Sequence, residues 1–337
     1  MLIDNKKRSL GQFFTKNHFW LKNHILEFIK STNSSIAFDP FAGGGDLLST
    51  AKEIGFDEVQ GLDVDTKLPW KINDSLKSIP RLEKSIIITN PPYLTNYSAR
   101  RKGIYENVAR YFDYCRYDDL YQLAIEKCME NNDYGVMIIP ETFINSSFLK
   151  FLQPRLVSIT VIEDLMFNDT ENPICVICFD KNKKKSDEVK IYKNDTYIKT
   201  LGEIEKMRKL PNKNINIKFN ALNGKVALRA IDTTNLAKPI QFMRPEEMDY
   251  DLSTIKISSR LITLIELNID DKLLDQFIDI SNKILLDFRL TTNDILLSPF
   301  KGNKKNGERR RRLDYMTARA IIEEAYEKTY PTLQLFY

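Results

Sequence analysis

Apolar and polar positions alternate in blocks over the first 180 residues. Residues 17–30, NHFWLKNHILEFIK, set Phe19, Trp20, Ile25, Leu26 and Ile29 at the spacing of one helix face. SSIAFDPFAGGGDLLSTAKEIG then predicts a strand over 35–39, a glycine-rich turn over 41–45 and a helix over 46–54. EVQGLDVD predicts a short strand ending in two aspartates. KINDSL predicts another, or its end, and KSIIITNPPYL a continuous apolar strand. An amphipathic helix over 118–132 and a buried strand over 134–140 follow, then a helix in SFLKFLQPRLV and late strands in SITVIEDLMF and NPICVICFD. Strands apolar on both faces belong to a mostly parallel sheet covered by helices. Residues 10–180 therefore predict an α/β domain.

Beyond this the pattern changes. KNKKKSDE (181–188) is a charged break that reads as a turn or linker. VKIYK and TYIKT predict a hairpin, whereas STIKISSRLITLIELN and DKLLDQFIDISNKILLDF predict helices. SPFKGNKKNGERRRRLDY (298–315) reads as a basic loop and TARAIIEEAYEKTY as a helix. No internal repeat is visible. The expected division is a first domain over 1–183 and a smaller mixed α+β module over 184–337.

Composition narrows the class. The 337 residues are 42% hydrophobic and 28% charged, as in ordinary globular proteins. MLIDNKKRSLGQFF lacks the apolar core of a signal peptide, and no apolar run is long enough to span a bilayer. The expectation is an intracellular, cytoplasmic protein with no membrane partner. A formal net charge of +4 permits a nucleic-acid partner without requiring one. Cys175 and Cys178 form a C-x-x-C, but in a strand residues three apart face opposite sides, and no second pair accompanies them. The chain predicts no disulfide and no metal.

The candidate chemistry sits at strand ends. Asp39 closes the first strand, with Gly43, Gly44 and Gly45 ahead of a helix, where backbone can approach a ligand. No Gly-Lys-Ser/Thr follows, so this is not a phosphate loop. Asp63 ends the next strand, about 20 residues beyond the glycines, where an acid accepts from ribose hydroxyls. Asp74 ends a third and can accept from an adenine amine. Together they describe a nucleoside pocket without a pyrophosphate grip. A fourth strand ends in Asn90, Pro91, Pro92 and Tyr93. The prolines stiffen the turn and remove donors, leaving the Asn90 amide oxygen and a backbone carbonyl as acceptors beside an aromatic face. Two acceptors and a stacking face suit a planar substrate bearing NH2. Bonding both hydrogens favours the more nucleophilic nitrogen and stabilises charge as it is alkylated.

NPPY after an apolar strand, with DPFAGGGDLL upstream, resembles the S-adenosylmethionine-dependent amino-methyltransferases. GQFFT (11–15) ahead of the glycines and a basic module at the end resemble the gamma class of DNA adenine N6-methyltransferases of bacterial restriction-modification systems. The resemblance covers about residues 9–180. It implies a Rossmann-like class I methyltransferase domain, a target-recognition domain, S-adenosyl-L-methionine as cofactor and double-stranded DNA as substrate, with a cognate restriction endonuclease as a further partner. It implies that Phe14, Thr15, Asp39, Phe41, Gly43 and Gly45 meet the methionine end of the cofactor, that Asp63 binds the ribose and Asp74 the adenine amine. Asn90 and Pro91 would bind the target N6 amine, next to Pro92 in the same turn. Tyr93 would stack on the flipped base, with Phe167 as a second aromatic face. Lys16 stands where the family often has proline, and Asp63 where it often has glutamate. A duplex target must be flipped out of the stack. Arg100, Arg101 and Lys102, on what reads as a loop after NPPY, and Arg309, Arg310, Arg311 and Arg312 are the expected DNA contacts, since arginines suit phosphates and guanine edges.

Three other readings use the same residues. Protein glutamine N5-methyltransferases share NPPY but carry a helical module first. RNA adenine or guanine methyltransferases use the same flipped-base logic. A non-catalytic DNA-binding protein with an inactive core is opposed by the intact NPPY and the three strand-end aspartates.

Overall fold

The computed structural model describes residues 18–113, 115–163, 173–249, 251 and 261–330. The chain divides into two compact units, Met1–Glu203 and Ile204–Tyr337.

The first unit is built on a nine-stranded sheet of order β3-β2-β1-β4-β5-β7-β6-β8-β9. Its strands are β1 (Ile36–Asp39), β2 (Glu58–Asp63), β3 (Lys71–Ile72), β4 (Ser85–Thr89), β5 (Gly135–Pro140), β6 (Leu156–Ile162), β7 (Ile174–Phe179), β8 (Lys190–Lys193) and β9 (Thr196–Thr200). β1 to β5 run parallel to one another, and β7 enters antiparallel between β5 and β6. The apolar run of β4 is buried at every position, as expected of a strand covered on both faces. Ile86, Ile88, Val136, Ile138, Val176 and Cys178 form one core with Trp20, Ile25 and Ile29; the last two lie on α1 (Asn23–Ser31). Cys175 and Cys178 are both buried within β7. Among the described residues no helix is long and apolar enough to cross a membrane.

From β1 the chain turns through α2 (Asp46–Glu53) to β2 on one side, and later returns to β4 on the other side of β1. That reversal opens a crevice at the carboxyl ends of β1 and β4, the usual ligand position in such sheets. After β4 come α3 (Asn96–Arg101), α4 (Tyr105–Phe112) and α5 (Leu120–Asn131), with a short α6 (Leu149–Leu152) later. The stretch expected as a loop at 95–107 is thus mostly helical. Thr95 caps α3 by accepting from the Ser98 N–H at 3.0 Å, and Arg100 and Arg101 fall in its last turn, where positive charge suits the helix dipole. The unit also extends past residue 183, because β8 pairs in parallel with β6, and β9 pairs antiparallel with β8.

The second unit holds a four-stranded antiparallel sheet of order β10-β13-β11-β12 and a hairpin. The strands are β10 (Lys218–Phe219), β11 (Val226–Arg229), β12 (Gln241–Met243), β13 (Ile262–Glu266), β14 (Ser298–Asn303) and β15 (Arg309–Arg312). Its long helices are α7 (Leu274–Thr292) and α8 (Tyr315–Thr329). Two expectations are corrected here. The apolar run expected as a helix before residue 267 contains strand β13, paired with β10 and β11. The basic loop is a built hairpin: Arg309 and Arg311 point inward at 3% and 1% exposure.

Candidate functional site

One cavity in the first unit lies at the crevice and is lined by Asp39, Phe41, Gly43, Gly44, Asp46, Asp63, Asp74, Asn90, Pro92 and Tyr111, among others. The strand ends expected to carry chemistry are therefore brought together.

Asp39, the last residue of β1, is buried at 2% exposure. Its Oδ1 accepts from the Phe41 N–H at 2.9 Å and from Thr89 Oγ1 at 2.5 Å. Burial pushes the carboxyl up to about 7, against the lowering effect of those two bonds. Thr89 ends β4 and immediately precedes Asn90, so this bond ties the first strand end to the NPPY turn.

Asp63 closes β2. Its carboxylate accepts from the Gly43 N–H and the Asp65 N–H, both at 2.9 Å. It thereby pins the glycine turn, and a carboxylate with about four acceptor positions retains capacity for hydroxyl donors. The glycines serve a further purpose. Gly45 has φ +86°, and a Cβ there would lie 2.7 Å from Trp70 Cζ2; one on Gly61 would lie 2.5 Å from Trp70 Cε3. Trp70 Nε1 also donates to the Gly43 carbonyl at 2.8 Å. Gly45 and Gly61 thus make room for an indole that braces the turn, a role the sequence reading did not assign. Gly43 is left-handed, φ +49°, with no close contact, and lines the cavity together with Gly44.

Asp74 lies beyond β3. Its two carboxylate oxygens sit 3.1 and 3.0 Å from the Tyr111 hydroxyl, and one lies 3.2 Å from Arg110 Nη2. Tyr111, on α4, lines the cavity and was not singled out in the sequence. Asp46, at the start of α2, was missed too; next to a glycine turn it looks like an ordinary helix-start acid.

The NPPY turn is held from both sides. The Tyr93 hydroxyl donates to Asn90 Oδ1 and lies 2.8 Å from the Ile138 carbonyl of β5. Its ring meets Tyr121 edge-on, with centroids 6.3 Å apart. The Leu94 N–H donates to Asp119 Oδ1 at 3.0 Å, and the Leu120 N–H to the Leu94 carbonyl at 3.2 Å. Asp119 also caps α5 in a capping box with Gln122. Burial pushes its carboxyl up to about 7.

Arg100, Arg101 and Lys102 are exposed at the end of α3; Arg100 lies 3.6 Å over the Tyr105 ring. Phe14, Thr15 and Phe167 lie outside the described residues. In the second unit, burial removes Arg309 and Arg311 from any surface that DNA could reach. Arg310 stacks 4.9 Å over Phe300 and donates to the Asp232 carbonyl at 2.8 Å, and Arg312 is half-buried. The hairpin packs on Asp232, fully buried, which accepts from Arg289 twice at 2.9 Å and from the Arg311 N–H at 3.1 Å.

Residues 14–172 match the family described as Eco57I restriction-modification methylase. The chain is 25% identical over 280 residues to the type II methyltransferase M.HindII of Haemophilus influenzae, covering 76% of this chain and 53% of that protein. It is 28% identical over 179 residues to M.HincII of Haemophilus influenzae, covering 50% of this chain and 35% of the relative. The chain therefore spans about half or less of the length of these relatives. Among solved structures, it is similar to a type I restriction-modification methyltransferase subunit from Streptococcus thermophilus, with TM-score 0.37 and 16% identity over 59% of this chain and 52% of the other. It is also similar to the M protein of the type I restriction enzyme EcoKI, with TM-score 0.37 and 12% identity over 99% and 73%.

Proposed function

We propose that this chain, whose residues 14–172 match the family described as Eco57I restriction-modification methylase, transfers a methyl group from S-adenosyl-L-methionine to N6 of a flipped adenine at a specific site in double-stranded DNA. The observation that carries the reading is the shared cavity: Asp39, Asp63, Asp74 and Asn90 line one crevice, and Thr89 couples the end of β1 to the NPPY turn.

The donor set fits the cofactor. Four carboxylates, Asp39, Asp46, Asp63 and Asp74, line the cavity. Such a wall rejects phosphates and accepts a ligand rich in positive charge and donors, as an ammonium, a sulfonium, ribose hydroxyls and an exocyclic amine are. In this reading Asp39 and the glycine turn hold the amino-acid end, Asp63 the ribose and Asp74 the adenine amine. When bound, S-adenosyl-L-methionine supplies an electrophilic methyl on sulfur, leaving S-adenosylhomocysteine.

The rest is positioning. Asn90 Oδ1 and a carbonyl of the Asn90–Pro91 turn accept the two hydrogens of the target amine. They draw its lone pair toward the methyl and stabilise the positive charge that develops on nitrogen. Preorganised approach supplies much of the remaining acceleration. Flipping costs a few kcal/mol of unstacking. Stacking on Tyr93 returns about 1–3 kcal/mol per base. Phe167 would face the base from the other side, and Phe14 and Thr15 would close on the methionine end. Arg100, Arg101 and Lys102 would meet phosphates near the site. The second unit would recognise the target through the exposed edge of its hairpin, with Lys301, Lys305 and Arg312 in place of the buried Arg309 and Arg311. A restriction endonuclease acting on the same sequence is the expected partner.

The test is transfer of labelled methyl from S-adenosyl-L-methionine by purified protein, followed by nucleoside analysis. Label in N6-methyladenine of unmethylated bacterial DNA is expected. Label confined to RNA, or to glutamine of a protein substrate, overturns the reading.

A further inference from the structure

We propose that Tyr111, with Arg110 beside it on α4, sets selectivity for the adenine amine of the cofactor: its hydroxyl holds the Asp74 carboxylate toward the cavity. The inference rests on the cofactor assignment proposed above.

The backbone at Asp74 is fixed. The Asn73 N–H donates to the Asp63 carbonyl at 2.9 Å, and the Asp74 carbonyl accepts from the Lys77 and Ser78 N–H groups at 2.9 and 3.2 Å. The side chain still has its own torsions to settle, and two directions compete for it. Lys77 Nζ lies 3.7 Å from Oδ2 on a largely exposed side chain, so following it would turn the carboxylate outward. The Tyr111 hydroxyl lies 3.1 and 3.0 Å from the two oxygens, and Tyr111 lines the cavity as Asp74 does. Following the phenol keeps the carboxylate at the cavity wall.

Donors and acceptors match throughout this group. Arg110 Nη2 lies 2.6 Å from the Tyr111 oxygen and 3.2 Å from Asp74 Oδ2. One guanidinium hydrogen goes to the phenol oxygen and another to the carboxylate, while the single phenol proton goes to Asp74. A carboxylate has about four acceptor positions, so a hydrogen of an exocyclic amine still finds one. Adjacent side chains on a helix do not normally meet. Here the Arg110 guanidinium carbon lies 4.7 Å from the Tyr111 ring centroid, because both side chains reach for one carboxylate. Val108 and Phe112 are buried and fix the helix from which they reach. Arg110 is more than half exposed, and an ion pair of that kind adds little to stability. What the group does control is the direction of a carboxylate that lines a cavity. That direction matters only to a ligand bearing a donor at that point.

Calorimetry with two ligands tests this: S-adenosylhomocysteine, and its analogue in which hydrogen replaces the adenine amine. The wild-type protein should bind the amine-bearing ligand about tenfold more tightly or better. Tyr111→Phe keeps the ring at the cavity and removes only the hydroxyl. It should weaken S-adenosylhomocysteine about tenfold and leave the analogue within about twofold, which also shows that the variant is folded. Asp74→Ala should bind the two ligands equally, and adding Tyr111→Phe to it should change neither affinity. Equal weakening of both ligands by Tyr111→Phe would mark a structural strut and overturns the proposal. So does unchanged binding of both, or a persistent loss on adding Tyr111→Phe to Asp74→Ala. A wild-type protein that binds both ligands equally well keeps the cofactor reading but removes Asp74 and Tyr111 from the amine. If it binds neither, the methyltransferase reading itself fails and the selectivity role falls with it.

Discussion

Asp39 is buried at the cavity with its carboxyl pushed up to about 7, so near neutrality it titrates. A cation placed against it favours the ionised form, which couples ligand binding to loss of a proton. Because a cation binds only the ionised form well, affinity should be weak below about pH 7, rise through it and level off above. Calorimetry with S-adenosylhomocysteine between pH 6 and 8.5 should show this rise. Asp39→Asn should bind at least tenfold more weakly at the upper end and show no such step. An equal slope in both proteins would remove Asp39 from the ligand contacts. Asn90 makes a different prediction. Under the proposed mechanism, Asn90→Ala should abolish turnover while leaving cofactor affinity nearly intact, since the amide would act on the target rather than on the cofactor. Loss of both would mean that the turn stabilises the fold instead. Asp39 and Asn90 were legible from the sequence because each follows or ends an apolar run, and Asp63 and Asp74 because each closes or follows a short predicted strand. Trp70 and Tyr111 were not, because a lone aromatic carries no periodic signal and its partners, the Gly43 carbonyl and Asp74, are 27 and 37 residues away.

At the scale of elements, the glycine turn is the most constrained piece. Gly45 combines a left-handed backbone with an indole against its missing side chain. Gly45→Ala should lower stability by about 1–3 kcal/mol, read by urea unfolding, and displace Trp70, read by its fluorescence. The parallel strands of the first unit could be read because they are buried on both faces and bounded by turn residues. β13 could not, because LITLIEL is a short apolar run, and periodicity alone does not separate a buried strand from a buried helix. The hairpin was misread for another reason. Four consecutive arginines look solvated, yet strand alternation sends Arg309 and Arg311 inward, while β15 docks beside the end of β11 through the Leu313 N–H to Ala230 carbonyl bond of 2.8 Å. Asp232 anchors that arrangement. Burial acts to raise its carboxyl, but Arg289 and the Ile240 N–H prevail and hold it below its usual value. Its contribution to stability is therefore present above the unfolded carboxylate range and lost as pH falls toward the depressed folded value. Asp232→Asn should destabilise the second unit by about 1–3 kcal/mol, since the partly buried Arg289 loses one of its two carboxylate partners and keeps Asp294. A loss below 1 kcal/mol by denaturant unfolding would show that the hairpin stands without it.

For the whole molecule, a net charge of only +4 means that DNA affinity depends on where the cations lie rather than on their sum. Removing a true phosphate contact should flatten the salt dependence of binding by about 0.9 in log–log slope per contact. Lys305→Ala and Arg312→Ala should each do so, whereas Arg311→Ala should act mainly on stability, because that side chain is buried. The central claim joins both units: a fixed amine-binding turn in the first, and selection of its DNA target by the second. Single-molecule sequencing of a methylation-deficient bacterial host expressing the chain tests both at once. The account predicts N6-methyladenine at one short recurring sequence, and its disappearance when Asn90→Ala is expressed instead. Modified cytosine, modification without a recurring sequence, or a pattern unchanged by Asn90→Ala would contradict it.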